Sequence, residues 1–103
     1  LYMAYVSGML TQIVPQADSA LAVLESVNRS LFPIMEPGNF VTAAVLVLDA
    51  AGNGLDVACA GHAPPLRRSK DGSALPLEMP NGTALGLGSD GPFAHGRFAL
   101  DIG

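Results

Sequence analysis

Acidic, histidine and cysteine side chains are the residues of this chain that could hold a metal ion or carry out catalysis. The nine acidic residues are scattered along the 103 positions, and most of them fall in predicted turns or on solvated faces. The two histidines, His62 and His95, lie far apart, and no pair of residues has the spacing of a zinc-binding helix motif. No glycine-rich loop precedes a predicted helix in the way that phosphate binding requires. These residues alone therefore indicate neither a metal centre nor a phosphate-binding loop.

Gly61-His62 is the best local candidate for a functional position. The pair follows an apolar strand and is itself followed by Pro64-Pro65, which restricts the backbone. His62 could position a substrate or hydrogen-bond a neighbouring loop. In the alternative interpretation, which we favour, Gly61 permits a sharp exit from the strand and His62 fixes that exit through a backbone contact.

Structural interpretations are favoured for the other reactive side chains. Cys59 falls in the middle of a predicted strand, where we expect a buried and inert thiol rather than a nucleophile. As the single cysteine it cannot form an internal disulfide, and it is compatible with a reducing compartment. His95 lies beside Gly96 at an expected strand edge and is predicted to be exposed.

These candidates are positioned by a hairpin predicted within residues 39–65. Residues 40–48 are almost entirely Val, Ala and Leu, too apolar to be half-exposed, and residues 55–60 form the return strand. Between them, residues 49–54 carry turn chemistry, because Asn53 and the two glycines tolerate the positive φ of hairpin turns. The sequence therefore predicts an antiparallel pair that ends at Gly61-His62.

Two helices are predicted ahead of this hairpin. Residues 1–14 carry no charge, and their few polar positions form one narrow face, so we expect a helix buried on several sides that Pro15 ends. A second helix spans residues 20–32, with Asp18 or Ser19 as its N-cap and Pro33 as its stop. Asn28 interrupts the apolar stripe of this helix. We interpret its amide as satisfying nearby backbone groups, in preference to contacting a ligand.

Further strands follow the hairpin. Residues 66–68 and 74–77 flank an Asp71-Gly72 turn as a shorter second hairpin, and Pro76 places the latter strand at an edge. Residues 93–102 are predicted as a last strand, broken by Gly96. Two helices followed by antiparallel strands indicate an α+β layered domain.

Length and charge limit the classes of function. A chain of 103 residues forms one domain at most. The net charge of −4 argues against a nucleic-acid partner, and the cluster of Arg67, Arg68 and Lys70 is interpreted as a solvated turn. No apolar run reaches the roughly 18 residues of a membrane span. The chain begins without Met in an apolar pattern, so we expect an internal fragment.

Taken in order, these motifs resemble one known family, the SpoIIE-like branch of the metal-dependent (PPM-type) serine/threonine phosphatases. The helix that carries Asn28 is similar to the family's helix before the hairpin. One difference is visible, because the family often has Asn-Ala-Gly-His where this chain has Cys59-Ala60-Gly61-His62. The resemblance covers essentially the whole chain and rests on Phe40-Val41-Thr42, Leu48-Asp49, Gly54-Leu55, Ala60-Gly61-His62, Pro64-Pro65, Asp71-Gly72, Gly82 and Leu85-Gly86.

The resemblance implies a four-layer α/β/β/α sandwich, of which this chain would be part. It also implies a centre of two Mn²⁺ or Mg²⁺ ions, in which a metal-bound water attacks the phosphorus of phosphoserine or phosphothreonine. The implied partner is a phosphorylated regulatory protein, such as an anti-sigma-factor antagonist. The first two helices match the family's regulatory switch. A cytoplasmic location is implied, and a homodimer is compatible with the family.

The family's metal-binding residues are expected outside this chain. One Asp-Gly motif should precede Leu1, and the aspartates of a Thr/Ser-Asp-Gly motif should follow Gly103. Asp101 precedes the expected glycine instead of following it, so no catalytic, cofactor-binding or metal-binding residue is assigned within the chain. We therefore expect residues 1–103 to be an inactive piece of one phosphatase domain. The alternatives are a degenerate, non-catalytic relative that acts as a binding or regulatory module, and an unrelated α+β binding domain.

Overall fold

A computed structural model describes residues 2–49, 52–88 and 91–100 of the chain. Its elements are two helices, α1 (Tyr2–Ile13) and α2 (Ala20–Leu31), and five strands. The predicted order of two helices followed by antiparallel strands is confirmed, and the fold class is α+β. The strands are β1 (Ala43–Leu48), β2 (Gly54–Ala60), β3 (Leu66–Arg68), β4 (Ala74–Pro76) and β5 (Ala94–Ala99).

The first helix is much more exposed than its composition predicts. Val6 is its one fully buried side chain among those described, and Met9, Leu10 and Ile13 are half-buried on the same side. Met3, which lies on the remaining surface of the helix, is 67% exposed. The expectation of burial on several sides is therefore wrong for the described residues, because α1 packs chiefly along one stripe against α2. A short 3₁₀ turn, Val14–Gln16, follows and contains Pro15.

The second helix forms the layer that covers the sheet. Its N-cap is Ser19, whose hydroxyl accepts a hydrogen bond from the Ala22 amide at 3.0 Å, and this selects one of the two predicted caps. The helix ends one residue earlier than predicted, and Pro33 lies in the 3₁₀ turn Phe32–Ile34 that follows. One face of the helix is buried, namely Ala20, Val23, Leu24, Val27, Asn28 and Leu31.

The predicted hairpin is confirmed as β1 and β2, which pair antiparallel from Ala43↔Ala60 to Leu48↔Leu55. In its turn the Asp49 carboxylate accepts a hydrogen bond from the Asn53 amide at 2.9 Å. Of the three turn residues that tolerate a positive φ, Gly52 adopts one, at +76°, and Asn53 and Gly54 do not. β1 begins three residues later than expected.

Two further expectations about the sheet are wrong. The sheet order is β1-β2-β5, so β1 lies at an edge, and its second half, Leu46 to Leu48, is 44–58% exposed instead of buried. Apolar composition alone did not indicate this edge position. Gly96 does not break the last strand, because β5 pairs continuously with β2 and Gly96 lies opposite Val57.

The two faces of the sheet carry separate cores. Ala58 and Ala60 of β2 face α2, together with Leu85 and Phe93 from the segments around β5. Val57 and Cys59 face the other way and pack with Leu77 and Ala94. β3 and β4 form the second predicted hairpin as a separate two-stranded sheet. The alternation along β2 therefore places consecutive residues in two different apolar clusters.

Candidate functional site

The exit from β2 is a tight backbone turn at Gly61. Its φ is +67°, a conformation that favours glycine, and a Cβ built there would lie 2.8 Å from the Cβ of Ala84. Gly61 also makes a single bridge with Ala43. The segment around Ala84 therefore contacts the strand exit, and any side chain at position 61 would separate the two.

The imidazole of His62 is fixed at this exit by a backbone contact. Its Nδ1 lies 2.7 Å from the carbonyl oxygen of Ala63, so Nδ1 carries the proton and donates. This contact confirms the structural interpretation of Gly61-His62. The side chain is nevertheless exposed, and no hydrogen bond involves its Nε2 within the described residues. His62 can therefore offer one ring nitrogen to a ligand while the other holds the loop.

A cleft of about 410 Å³ lies beside this loop. It is lined by His62, Cys59 and Ala94, and by Asn81 and Gly82 from the segment between β4 and β5. Gly82 packs against the backbone of Ala94 so closely that a Cβ would overlap it. This close backbone contact between Gly82 and Ala94 therefore fixes the position of one wall of the cleft.

Cys59 is a buried thiol, as predicted. Its side chain is 3% exposed, and burial raises the pKa of the thiol above its ordinary value. A neutral thiol is a weak nucleophile. The cleft therefore combines one accessible imidazole with an unreactive sulfur, and the described residues that line it include no second acid or base that could pair with His62.

Asp18, Asp49 and Asp56, which are dispersed in the sequence, line one cavity of about 440 Å³ together with Arg97. The carboxylate of Asp56 accepts a hydrogen bond from the Ala20 amide at 2.9 Å, at the N-terminus of α2. This helix has no acidic residue in its own first turn. Asp56 therefore supplies from β2 the negative charge that a helix N-terminus favours.

Asn28 connects α2 to the loop before β5. Its Nδ2 donates to the carbonyl of Gly88 at 2.8 Å, and its Oδ1 accepts from the amide of Gly86 at 2.9 Å. The side chain is 1% exposed. The interpretation of Asn28 as an amide that satisfies backbone groups is confirmed. It fixes residues 86–88 against the helix.

The family model described as Stage II sporulation protein E (SpoIIE) matches residues 1–103 of the chain. The chain belongs to the SpoIIE family. No match is found among curated proteins or among solved structures. Membership indicates a phosphatase-related function, and the α+β arrangement is consistent with part of the PPM-type fold. None of the described helices is both long enough and apolar enough to cross a membrane.

The described residues do not fit the two-metal centre that was expected from the resemblance. No group of three or more His, Cys, Asp or Glu side chains among them could hold a metal ion. The carboxylates of Asp49 and Asp56 are engaged with backbone amides instead. Asp101 lies outside the described residues. We therefore derive no catalytic step from this part of the chain.

Sequence reasoning missed the contact between Asp56 and the N-terminus of α2. The two residues that it joins are 36 positions apart. A signal was present, since α2 lacks an acid in its first turn and Asp56 interrupts an otherwise apolar strand. The connection between the missing acid and Asp56 depends on the register of β2, which places Asp56 beside the N-terminus of α2.

Proposed function

We propose that this chain is part of the phosphatase domain of a metal-dependent protein serine/threonine phosphatase. The observation that carries the proposal is the match of the SpoIIE family model to all 103 residues. The fold supports it, because two helices precede the antiparallel strands in the expected order. The proposed reaction is the hydrolysis of phosphoserine or phosphothreonine on a regulatory protein, such as an anti-sigma-factor antagonist.

In this proposal two Mn²⁺ or Mg²⁺ ions are held by residues other than those the structure describes. The described residues then have a supporting role. Asn28 and Asp56 join α2 to the loop at residues 86–88 and to β2, respectively, which holds the helix layer in place on the sheet. Rigid support of this kind keeps catalytic groups close to the positions and orientations that the reaction requires.

The proposal is tested by measuring phosphate release by the full-length protein. Phosphoserine, phosphothreonine and phosphotyrosine peptides are compared in the presence of Mn²⁺, of Mg²⁺ and of a chelator. We expect release from the first two peptides only, lost with the chelator and restored by added metal. A folded protein that releases no phosphate under any of these conditions contradicts the proposal.

One alternative is tested in the same experiment. A degenerate SpoIIE-family domain would act as a binding or regulatory module. In that case the full-length protein binds its phosphorylated partner without releasing phosphate.

A further inference from the structure

Three of the five Lys and Arg residues of this acidic chain lie close together on the second hairpin. Arg67 and Arg68 belong to β3, and Lys70 lies in the turn that follows. All three line one open groove of about 490 Å³. The groove is within the size range of ligand-binding pockets. A chain with a net charge of −4 therefore concentrates most of its positive charge along a single cavity.

The three cations are available to a partner. Among the described residues, no side-chain hydrogen bond or ion pair involves Arg67, Arg68 or Lys70. Asp71 also lines the groove, but its carboxylate accepts hydrogen bonds from the Ser73 hydroxyl at 2.6 Å and from the Ser73 amide at 2.8 Å. These bonds hold the pKa of Asp71 below its usual value. The groove thus contains one carboxylate that already accepts hydrogen bonds from Ser73, and three cations that have no side-chain partner among the described residues.

The hairpin that carries these cations is held by backbone contacts. The Ser69 amide donates to the Ser73 carbonyl at 2.8 Å, and the Leu77 amide donates to the Pro65 carbonyl at 2.9 Å. Gly72 has a φ of +88°, which the turn requires. The positions of the charged residues on the backbone are therefore fixed before any partner binds, which lowers the cost of binding.

Apolar side chains form the rest of the groove. Leu46 of β1 and Leu55 of β2 line it on the side of the three-stranded sheet, and Leu66 lines it on the side of the hairpin. Leu46 is 48% exposed and Leu66 is 69% exposed. The surface thus combines positive charge with exposed leucine side chains, and it fits a segment that carries both acidic and large apolar residues.

We propose that this groove, defined by Leu46, Leu55, Leu66, Arg67, Arg68 and Lys70, docks an acidic, leucine-containing segment of the phosphorylated protein substrate. The inference rests on the proposed phosphatase function. In this proposal the groove binds the substrate segment and takes no part in the chemical step. Contacts of this kind are made equally in the ground and transition states, so they lower KM and leave kcat unchanged.

Binding is tested on the full-length protein with a fluorescent peptide of alternating glutamate and leucine, by anisotropy. The double variant R67E/R68E reverses two groove charges, and R67Q/R68Q removes them without reversal. R29E is the matched control, since Arg29 is exposed on α2 outside the groove and contacts Ser26. Circular dichroism verifies that each variant is folded.

We expect R67E/R68E to weaken peptide binding by about tenfold or more, R67Q/R68Q by a smaller factor, and R29E by less than about twofold. Wild-type binding should weaken between about 50 and about 200 mM NaCl, because salt screens exposed charges. Hydrolysis of p-nitrophenyl phosphate should be equal in all variants, while KM for a protein substrate rises in the groove variants.

The proposal is overturned if folded R67E/R68E binds the peptide as the wild type does, or if R29E loses as much affinity. Preferential binding of phosphatidylserine vesicles over the peptide also overturns it, because the cations would then recognise a lipid surface. A protein that binds the peptide through Arg67 and Arg68 but hydrolyses no phosphate refutes the phosphatase function and keeps the docking site.

Discussion

Replacing Asn28 by alanine should destabilise the fold more than any other single change on α2 that removes a polar group. The substitution deletes the hydrogen bonds to Gly88 and from Gly86, each contributing about 1 kcal/mol. The side chain is 1% exposed, so lost packing adds to this, while the better helix propensity of Ala offsets about 0.5 kcal/mol. We expect a net loss of about 2–3 kcal/mol, or roughly 10–20 °C in Tm.

The measurement is urea unfolding of wild type and variant, followed by far-ultraviolet circular dichroism. Ser30→Ala is the matched control, since Ser30 is exposed on the same helix and should change the free energy of unfolding by less than about 0.5 kcal/mol. Asn28→Asp is a second variant, which keeps the acceptor for Gly86 but cannot donate to Gly88. It should be at least as destabilising at neutral pH, because a buried carboxylate is costly.

Two results would refute this reasoning. If Asn28→Ala and Ser30→Ala unfold at the same urea concentration, the two hydrogen bonds contribute nothing to stability. If Asn28→Asp is as stable as the wild type at neutral pH, the donor to Gly88 is dispensable and the site is open to water. Hydrogen exchange at the Gly86 amide gives an independent check, because that amide should lose protection in Asn28→Ala.

Five further outcomes are expected. Ser19→Ala removes the N-cap of α2 and should cost about 1 kcal/mol in the free energy of unfolding, measured by urea denaturation. Gly61→Ala should destabilise by more than about 1 kcal/mol in the same assay, because of its positive φ and the overlap with Ala84. Gly8→Ala, with open space around it on α1, should instead be neutral or stabilising. The Cys59 thiol should react slowly with a disulfide reagent at neutral pH, because burial raises its pKa, and quickly once urea unfolds the chain; a fast native reaction would contradict the buried assignment. Calorimetric titration of the 103-residue chain with Mn²⁺ should show no stoichiometric binding, and tight binding would place metal ligands inside it.

Local signals in the sequence were sufficient for the elements whose structure is determined locally. Ser19 caps α2 because a hydroxyl before an apolar-periodic run suits the free amides of the first turn. The Asp71-Gly72 turn closes β3 and β4 because glycine supplies the positive φ and aspartate accepts from the backbone two residues later. In both cases the interacting groups lie within three residues of each other.

Burial was predicted less well, because it depends on neighbours that are distant in the sequence. Residues 46–48 have the composition of a central strand, yet they lie at the edge of the sheet, beyond the part that α2 covers. The same reasoning failed for α1, whose uncharged sequence is exposed apart from the stripe that faces α2. Hydrophobicity indicates that a surface can be buried, and only the tertiary arrangement determines whether it is.

In the candidate site, too, contacts between neighbouring residues were predicted and contacts between distant residues were not. Sequence reasoning identified Gly61 and His62 and preferred the correct structural interpretation, because the contact of His62 is with the next residue. It predicted that Asn28 satisfies backbone groups without identifying them, since Gly86 and Gly88 are 58 and 60 positions away. Which backbone groups need a partner depends on how the chain returns to α2.

Hydrogen bonds to the backbone explain why the polar side chains in and around the apolar core of this SpoIIE-family chain are not free to bind a metal or a ligand. Asp56, Asn28 and Asp49 each have a side-chain oxygen bound to a backbone amide at 2.9 Å. A carboxylate in such a bond stabilises a helix end or a turn, and moving it to coordinate a metal would leave that amide without its partner. The cations of the second hairpin have no such structural partner among the described residues. Free polar groups are those that can bind a ligand without cost to the fold, and for this reason Arg67 and Arg68 are stronger candidates for recognition than any of these carboxylates.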